Sequence, residues 1–183
     1  MNETVISLPD LDSLSPEQQR VADAVAAGPR GEVRGPVRLW LHSPELADRA
    51  QRLGEFFRQG TAVPQPICEL VILLTARHYN CDYIWFNHSR NALKQGVPQG
   101  VVEQIRRRET PDLQGPFVAA YSFAVAVLTG QKVPAPVLQR AIGAFGERGV
   151  VELAALIAHY HSGAIVLSLG AIPLPDGSTS CLD

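Results

Sequence analysis

Proline placed just inside the start of a helix recurs along this chain, and it constrains the fold more than any other feature. Ser15-Pro16-Glu17-Gln18 offers an N-cap, a first-turn proline and a glutamine at the capping-box position. Ser43-Pro44-Glu45 repeats the cap and the proline, and Val97-Pro98 opens another segment. Gly60, Gly96 and Gly130 each follow an apolar-periodic run, where a helix stops. Between these signals the apolar residues recur at helical spacing, as in the stripe Leu46, Ala50, Leu53 and Phe57. Helices are predicted from Pro16 to about Ala27, from Ser43 to Gly60, from about Ile67 to His78 and from about Asp82 to Gln95. A further one ends in Arg106-Arg107-Arg108, and three more follow in PFVAAYSFAVAVLTG, PAPVLQRAIGAFGERG and VVELAALIAHYHSGAIVLSLG. Few segments alternate as strands do, although residues 37–42 suit either a short strand or a helical turn. The fold class is therefore all-α, built of antiparallel helix pairs. One domain spans residues 1–183, with an N-terminal arm at 1–14, an irregular tail at 172–183 and no internal repeat.

Charge and cysteine usage narrow the partners. Sixteen Lys and Arg against 18 Asp and Glu give a net charge of −2. The triple arginine, followed by Glu109, reads as a solvated helix end, so no nucleic-acid partner is expected. MNETVISLPDLD has neither the basic nor the apolar region of a secretory signal. Three widely spaced cysteines (Cys68, Cys81 and Cys181) make no disulfide framework and suit a reducing, cytoplasmic setting. Leu153 to Pro175 carries no Asp, Glu, Lys or Arg. His159, His161, Ser162, Gly163 and Ser168 interrupt it, so it reads as a buried core or interface helix, with no membrane span expected. GPRGEVRGPV at 28–37 should be an ordered loop; its glycines do not have a phosphate-binding spacing.

The chemistry concentrates between Glu69 and His88. Cys81 and His88 are seven residues apart, nearly two helical turns, so a helix would place them on one face. Tyr79-Asn80 marks a break, and two antiparallel helices joined there would bring Glu69 back toward His88. His88 suits general acid–base work because imidazole titrates near neutral pH; the plainer reading is a core histidine bonded to a carbonyl. Glu69 lies in an apolar run and needs a partner, either Arg77 two turns on or His88 itself. Cys81 opens a helix, a position that lowers a thiol pKa, or else it is a small buried hydrophobe. Ile84 stands where a second cysteine would complete a Cys-x-x-Cys pair, so a local dithiol is unavailable. His159 and His161, two apart, point to different sides of a helix, and no metal site is expected. Arg30 and Arg34 in the Gly-Pro loop suit an anionic substrate, or are surface charges.

The run ELVILLTARHYNCDYIWFNH resembles the carboxymuconolactone decarboxylase and alkylhydroperoxidase D-like superfamily. GPRG and GPV at 28–37, LHSPELADR at 41–49, NALKQGVP at 91–98 and the closing ELAALIAHYHSGA and PLPDG resemble its longer, decarboxylase-like branch. The resemblance covers about residues 15–177. Glu69, Cys81 and His88 fall on the Glu, first Cys and His of the peroxidase members, and Tyr83, Trp85 and His88 fall on the Tyr-Glu-Trp-x-x-His run of decarboxylase-like members. Ile84 departs from both patterns. The resemblance implies an all-α fold, trimers or hexamers, and a site without cofactor or metal. It also implies a lyase or isomerase-type reaction on a small organic acid or lactone. In that reading His88 is the general acid–base, Glu69 orients it or relays protons, and Cys81, Tyr83, Ile84 and Trp85 line the pocket. Arg30 or Arg34 would hold a substrate carboxylate. A peroxidase using Cys81 alone and a non-catalytic oligomeric ligand-binding protein are the alternatives.

Overall fold

A computed structural model of the chain describes residues 5–130, 132–170 and 172–182. Residues 1–4 of the predicted arm and 183 of the predicted tail lie outside them. The described residues form eight helices and no strand, so the fold is all-α: α1 (Pro16–Ala27), α2 (Pro36–Trp40), α3 (Pro44–Gln59), α4 (Gln65–His78), α5 (Asp82–Lys94), α6 (Gln99–Arg106), α7 (Pro116–Leu128) and α8 (Ala135–Ser168). Most local signals act as their chemistry requires, although Ser43 at the N-cap of α3 makes no side-chain capping bond and Pro98 is the N-cap of α6. Ser15 and Gln18 close a reciprocal capping box at α1, and proline occupies the first turn of α1, α2, α3, α4, α7 and α8. Residues 37–42, open between strand and turn in the sequence, belong mainly to α2.

The core is arranged around α4. Its residues from Ile67 to Ala76 are buried on every side, as expected of a helix apolar all round. It packs against α5, α7 and α8. A smaller cluster of Val21, Val25, Val37, Trp40, Leu41 and Ala47 ties α1 to α2 and α3. The last two predicted helices follow one another without a loop within α8, broken where Gly146 takes the non-helical φ 68° and ψ 171°, three residues before the predicted boundary at Gly149. By length and composition α8 would reach across a bilayer; in the fold its Leu153, Leu156, Ile157, Ala164 and Leu167 are buried in the core.

The predicted stripe on α3 is corrected by the structure. Leu46 and Leu53 are exposed, and the buried face carries Ala47, Gln51, Gly54 and Phe57. Glycine and glutamine conceal that face from a hydrophobic pattern. The turn between α4 and α5 falls at the predicted break. Asn80 adopts φ 50°, a left-handed conformation that asparagine tolerates better than most residues. The chain reverses there, and Glu69 and His88 each lie about two to three turns from it on antiparallel helices.

Candidate active site

Glu69 is buried inside α4, where a carboxylate without a partner would be costly. Its Oε2 lies 2.8 Å from Nδ1 of His88, and no other hydrogen bond to it is present among the described residues. Arg77, the other candidate partner, turns away to donate to the carbonyl of Arg106 and to Asn80 Oδ1. The buried carboxylate of Glu152 offers a contrast. It accepts from Thr61 Oγ1, Ala62 N and Arg148 Nε at 2.6–2.7 Å and so fastens the α3–α4 loop to α8. Glu152 is saturated by structural bonds. Glu69 is spent on a single imidazole whose Nε2 is left for another molecule.

His88 lines a cavity of about 290 Å³. The α5 face that opens into it carries Tyr83, Ile84, Asn87, His88 and Asn91, which recur at helical spacing. Opposite stand His159, Tyr160 and Gly163 of α8, and the Tyr160 ring meets His88 edge-on with centroids 4.9 Å apart. Arg58 of α3 and Trp40 of α2 close one side. The loop after α1 supplies Pro29, Arg30 and Arg34. That loop reaches the cavity because Gly35 has φ 59° and no side chain; a Cβ there would lie 2.6 Å from the Tyr83 ring.

The electrostatics are cationic. Burial, with Arg58 and Arg34 nearby, lowers the Arg30 pKa to about 10. Burial also lowers His159 to about 4, with help from Arg30, Arg58 and His88, so this ring is neutral at pH 7. Burial pushes the hydroxyls of Tyr83 and Tyr160 upward, which keeps them protonated donors. Arg34 is paired with Glu32 at 3.0 Å. Arg30 and Arg58 have neither an ion pair nor a hydrogen bond among the described residues.

Of the residues singled out from sequence, the structure brings His88, Tyr83, Ile84, Arg30 and Arg34 to one cavity, with Glu69 behind His88. It does not bring Cys81 or Trp85 there. Cys81 is the N-cap of α5, with φ −88° and ψ 91°, so its side chain does not continue the helical face that holds His88. It lines a separate cleft with Asp82, Leu174 and Ser178. Its thiol pKa is raised by burial, which reverses the lowering expected at a helix start. Trp85 is 3% exposed and belongs to the core, one residue off the cavity-facing face. Sequence reasoning did not find Arg58, His159, Tyr160, Asn87, Asn91 or Trp40 as site residues. For Asn87 and Asn91 the signal was present, three and seven residues after Ile84; Arg58 and Trp40 have none, because they arrive by the crossing of distant helices. His159 and His161 do diverge as predicted: the latter stacks on Tyr79 with centroids 4.2 Å apart. Among the described residues no group of three or more His, Cys, Asp or Glu side chains converges to hold a metal ion.

No protein-family model matches the chain, and no curated protein matches it. Among solved structures it is similar to the apo crystal structure of the debrominase Bmp8, with a TM-score of 0.71 and 15% identity. The match covers 97% of this chain and 94% of that one, so the two share the all-α architecture over nearly their whole lengths.

Proposed function

We propose that the chain is a cofactor-independent lyase or isomerase-type enzyme that moves a proton on a small organic acid or lactone, as its resemblance to carboxymuconolactone decarboxylases implies. The observation that carries this reading is the 2.8 Å contact between Glu69 and His88 at the wall of a cationic cavity. The carboxylate accepts from Nδ1–H and so fixes the tautomer and orientation of the ring. Nε2 is then the atom that gives or takes the substrate proton. In a decarboxylation the bond to the departing carboxylate breaks and carbon dioxide leaves. The electron pair enters the conjugated carbonyl system, and His88 Nε2–H returns a proton to carbon. Arg30 and Arg34 suit the substrate's carboxylate. Tyr83 and Ile84 wall the cavity; Cys81, outside it and with a raised pKa, does not support a thiol peroxidase.

Ile84, apolar in a position where relatives of either kind carry a polar group, favours a second reading: a protein that binds small acids without turning them over. A screen of γ-carboxylated lactones and β-keto acids, read by carbon dioxide release, separates the two. Brominated acids read by bromide release belong in the same screen, since one similar solved structure is a debrominase. Turnover should fall ~100-fold or more in His88→Ala. Equal turnover in the variant and the parent would remove the proton-transfer reading, and binding without any turnover would favour the second.

A further inference from the structure

Arg58 is the least accounted-for residue of the cavity. It comes from α3, lines the same space as Arg30, and neither guanidinium has a carboxylate among the described residues. The His159 ring sits beside them, held in place by a gap. A Cβ on Gly54, one turn before Arg58, would lie 3.1 Å from His159 Nε2 and 3.6 Å from an Arg58 terminal nitrogen. Glycine inside a helix is unfavourable relative to alanine, so its presence here is explained by the two side chains that occupy its space. Two uncompensated cations converging on a partly apolar cavity repel one another until an anion separates them.

We propose that Arg58, Arg30 and His159 form an anion-binding subsite that seats a carboxylate or similarly compact oxyanion of the substrate in the cavity that His88 lines. The proposal rests on the proton-transfer reading for the molecule's further chemistry, but the subsite binds whether or not that chemistry occurs. Two planar guanidinium forks match the oxygens of a carboxylate or a phosphate. His159, neutral in the empty site, offers one further hydrogen bond. The charged and titratable groups facing its ring are Arg30, Arg58, His88 and the adjoining Tyr160, with Arg34 at the cavity mouth. An anion seated among them offsets the cations and makes protonation of His159 easier.

Binding of benzoate, inorganic phosphate and neutral benzamide, measured by isothermal titration calorimetry on the full chain, tests this. Benzoate or phosphate should bind and benzamide should not, and the stronger of the two anions identifies the oxyanion. Arg58→Gln and Arg30→Gln should each weaken binding about tenfold or more, Arg58→Lys less, and Arg49→Gln on the outer face of α3 not at all. Nitrogen-15 NMR of the histidines supplies the readout that a merely structural role would not move. The His159 pKa should rise on saturation with the bound anion, and also rise in Arg58→Gln, where a cation has been removed. Unchanged affinity in both arginine-to-glutamine variants would overturn the subsite, as would a His159 pKa indifferent to anion and variant. Intact anion binding in His88→Ala with unaltered turnover would instead sink the proton-transfer reading and leave the subsite standing.

Discussion

The Glu69–His88 contact can be weighed without knowing any substrate, by a double-mutant cycle on stability. Glu69 is 7% exposed in the parent, and His88→Ala removes the one hydrogen bond its carboxylate makes among the described residues. Stranding a buried charge in this way costs about 3 kcal/mol. In a chain of this length that corresponds to a fall in Tm of roughly 6–12 °C. Glu69→Gln keeps the shape and removes the charge, and should cost about 1 kcal/mol. In the double variant the stranded charge is gone, so the losses should not add. The coupling energy should be about 2 kcal/mol. Urea unfolding of the four proteins at pH 7, with m-values compared to confirm a common transition, supplies the numbers. A coupling below about 0.5 kcal/mol, the level at which independent sites add, would refute the idea that His88 is what makes the buried carboxylate tolerable.

Three further outcomes follow from the same geometry. The folded pKa of His159 is about 4, against 6.5 when unfolded, so between these values the unfolded chain binds more protons and stability rises with pH. Acidification through that window should cost about 3 kcal/mol more in the parent than in His159→Gln, by urea melts at stepped pH. Gly54→Ala should forgo the ~1 kcal/mol that alanine ordinarily brings to a helix, because its Cβ meets His159 at 3.1 Å, and the His159 NMR signals should shift. Burial raises the pKa of all three thiols, to about 12 for Cys68 and Cys181. Native protein should therefore react with iodoacetamide far more slowly than free cysteine at pH 7.5, and a fast-reacting Cys81 would revive the peroxidase alternative.

The features legible in the sequence are those that act locally or along one helix pair. Ser-Pro starts and glycine stops mark helix ends wherever they fall, and the reversal at Asn80 turns two residues nineteen apart into a hydrogen-bonded pair. Helical periodicity failed where it was applied past a cap. Cys81 and His88 satisfy a seven-residue spacing, yet the cap residue has extended ψ and its side chain leaves the face. It failed again on α3, whose buried stripe contains Gln51 and Gly54 while Leu46 and Leu53 look outward. That same stripe led away from Arg58, the residue that most changes the character of the cavity. The placement of Arg58 beside Arg30 and His159 depends on how α3 and α8 cross, which no local pattern encodes.

In the proposed reaction His88, oriented by Glu69, transfers a proton to or from carbon. Proton NMR in deuterium oxide tests it most directly, on whichever acid or lactone the screen shows to be turned over. Deuterium should appear at the reacting carbon with the parent protein and be suppressed ~100-fold or more in His88→Ala. Undiminished incorporation with His88→Ala, or turnover by the parent that never carries solvent deuterium into carbon, would exclude His88 as the proton-transfer group.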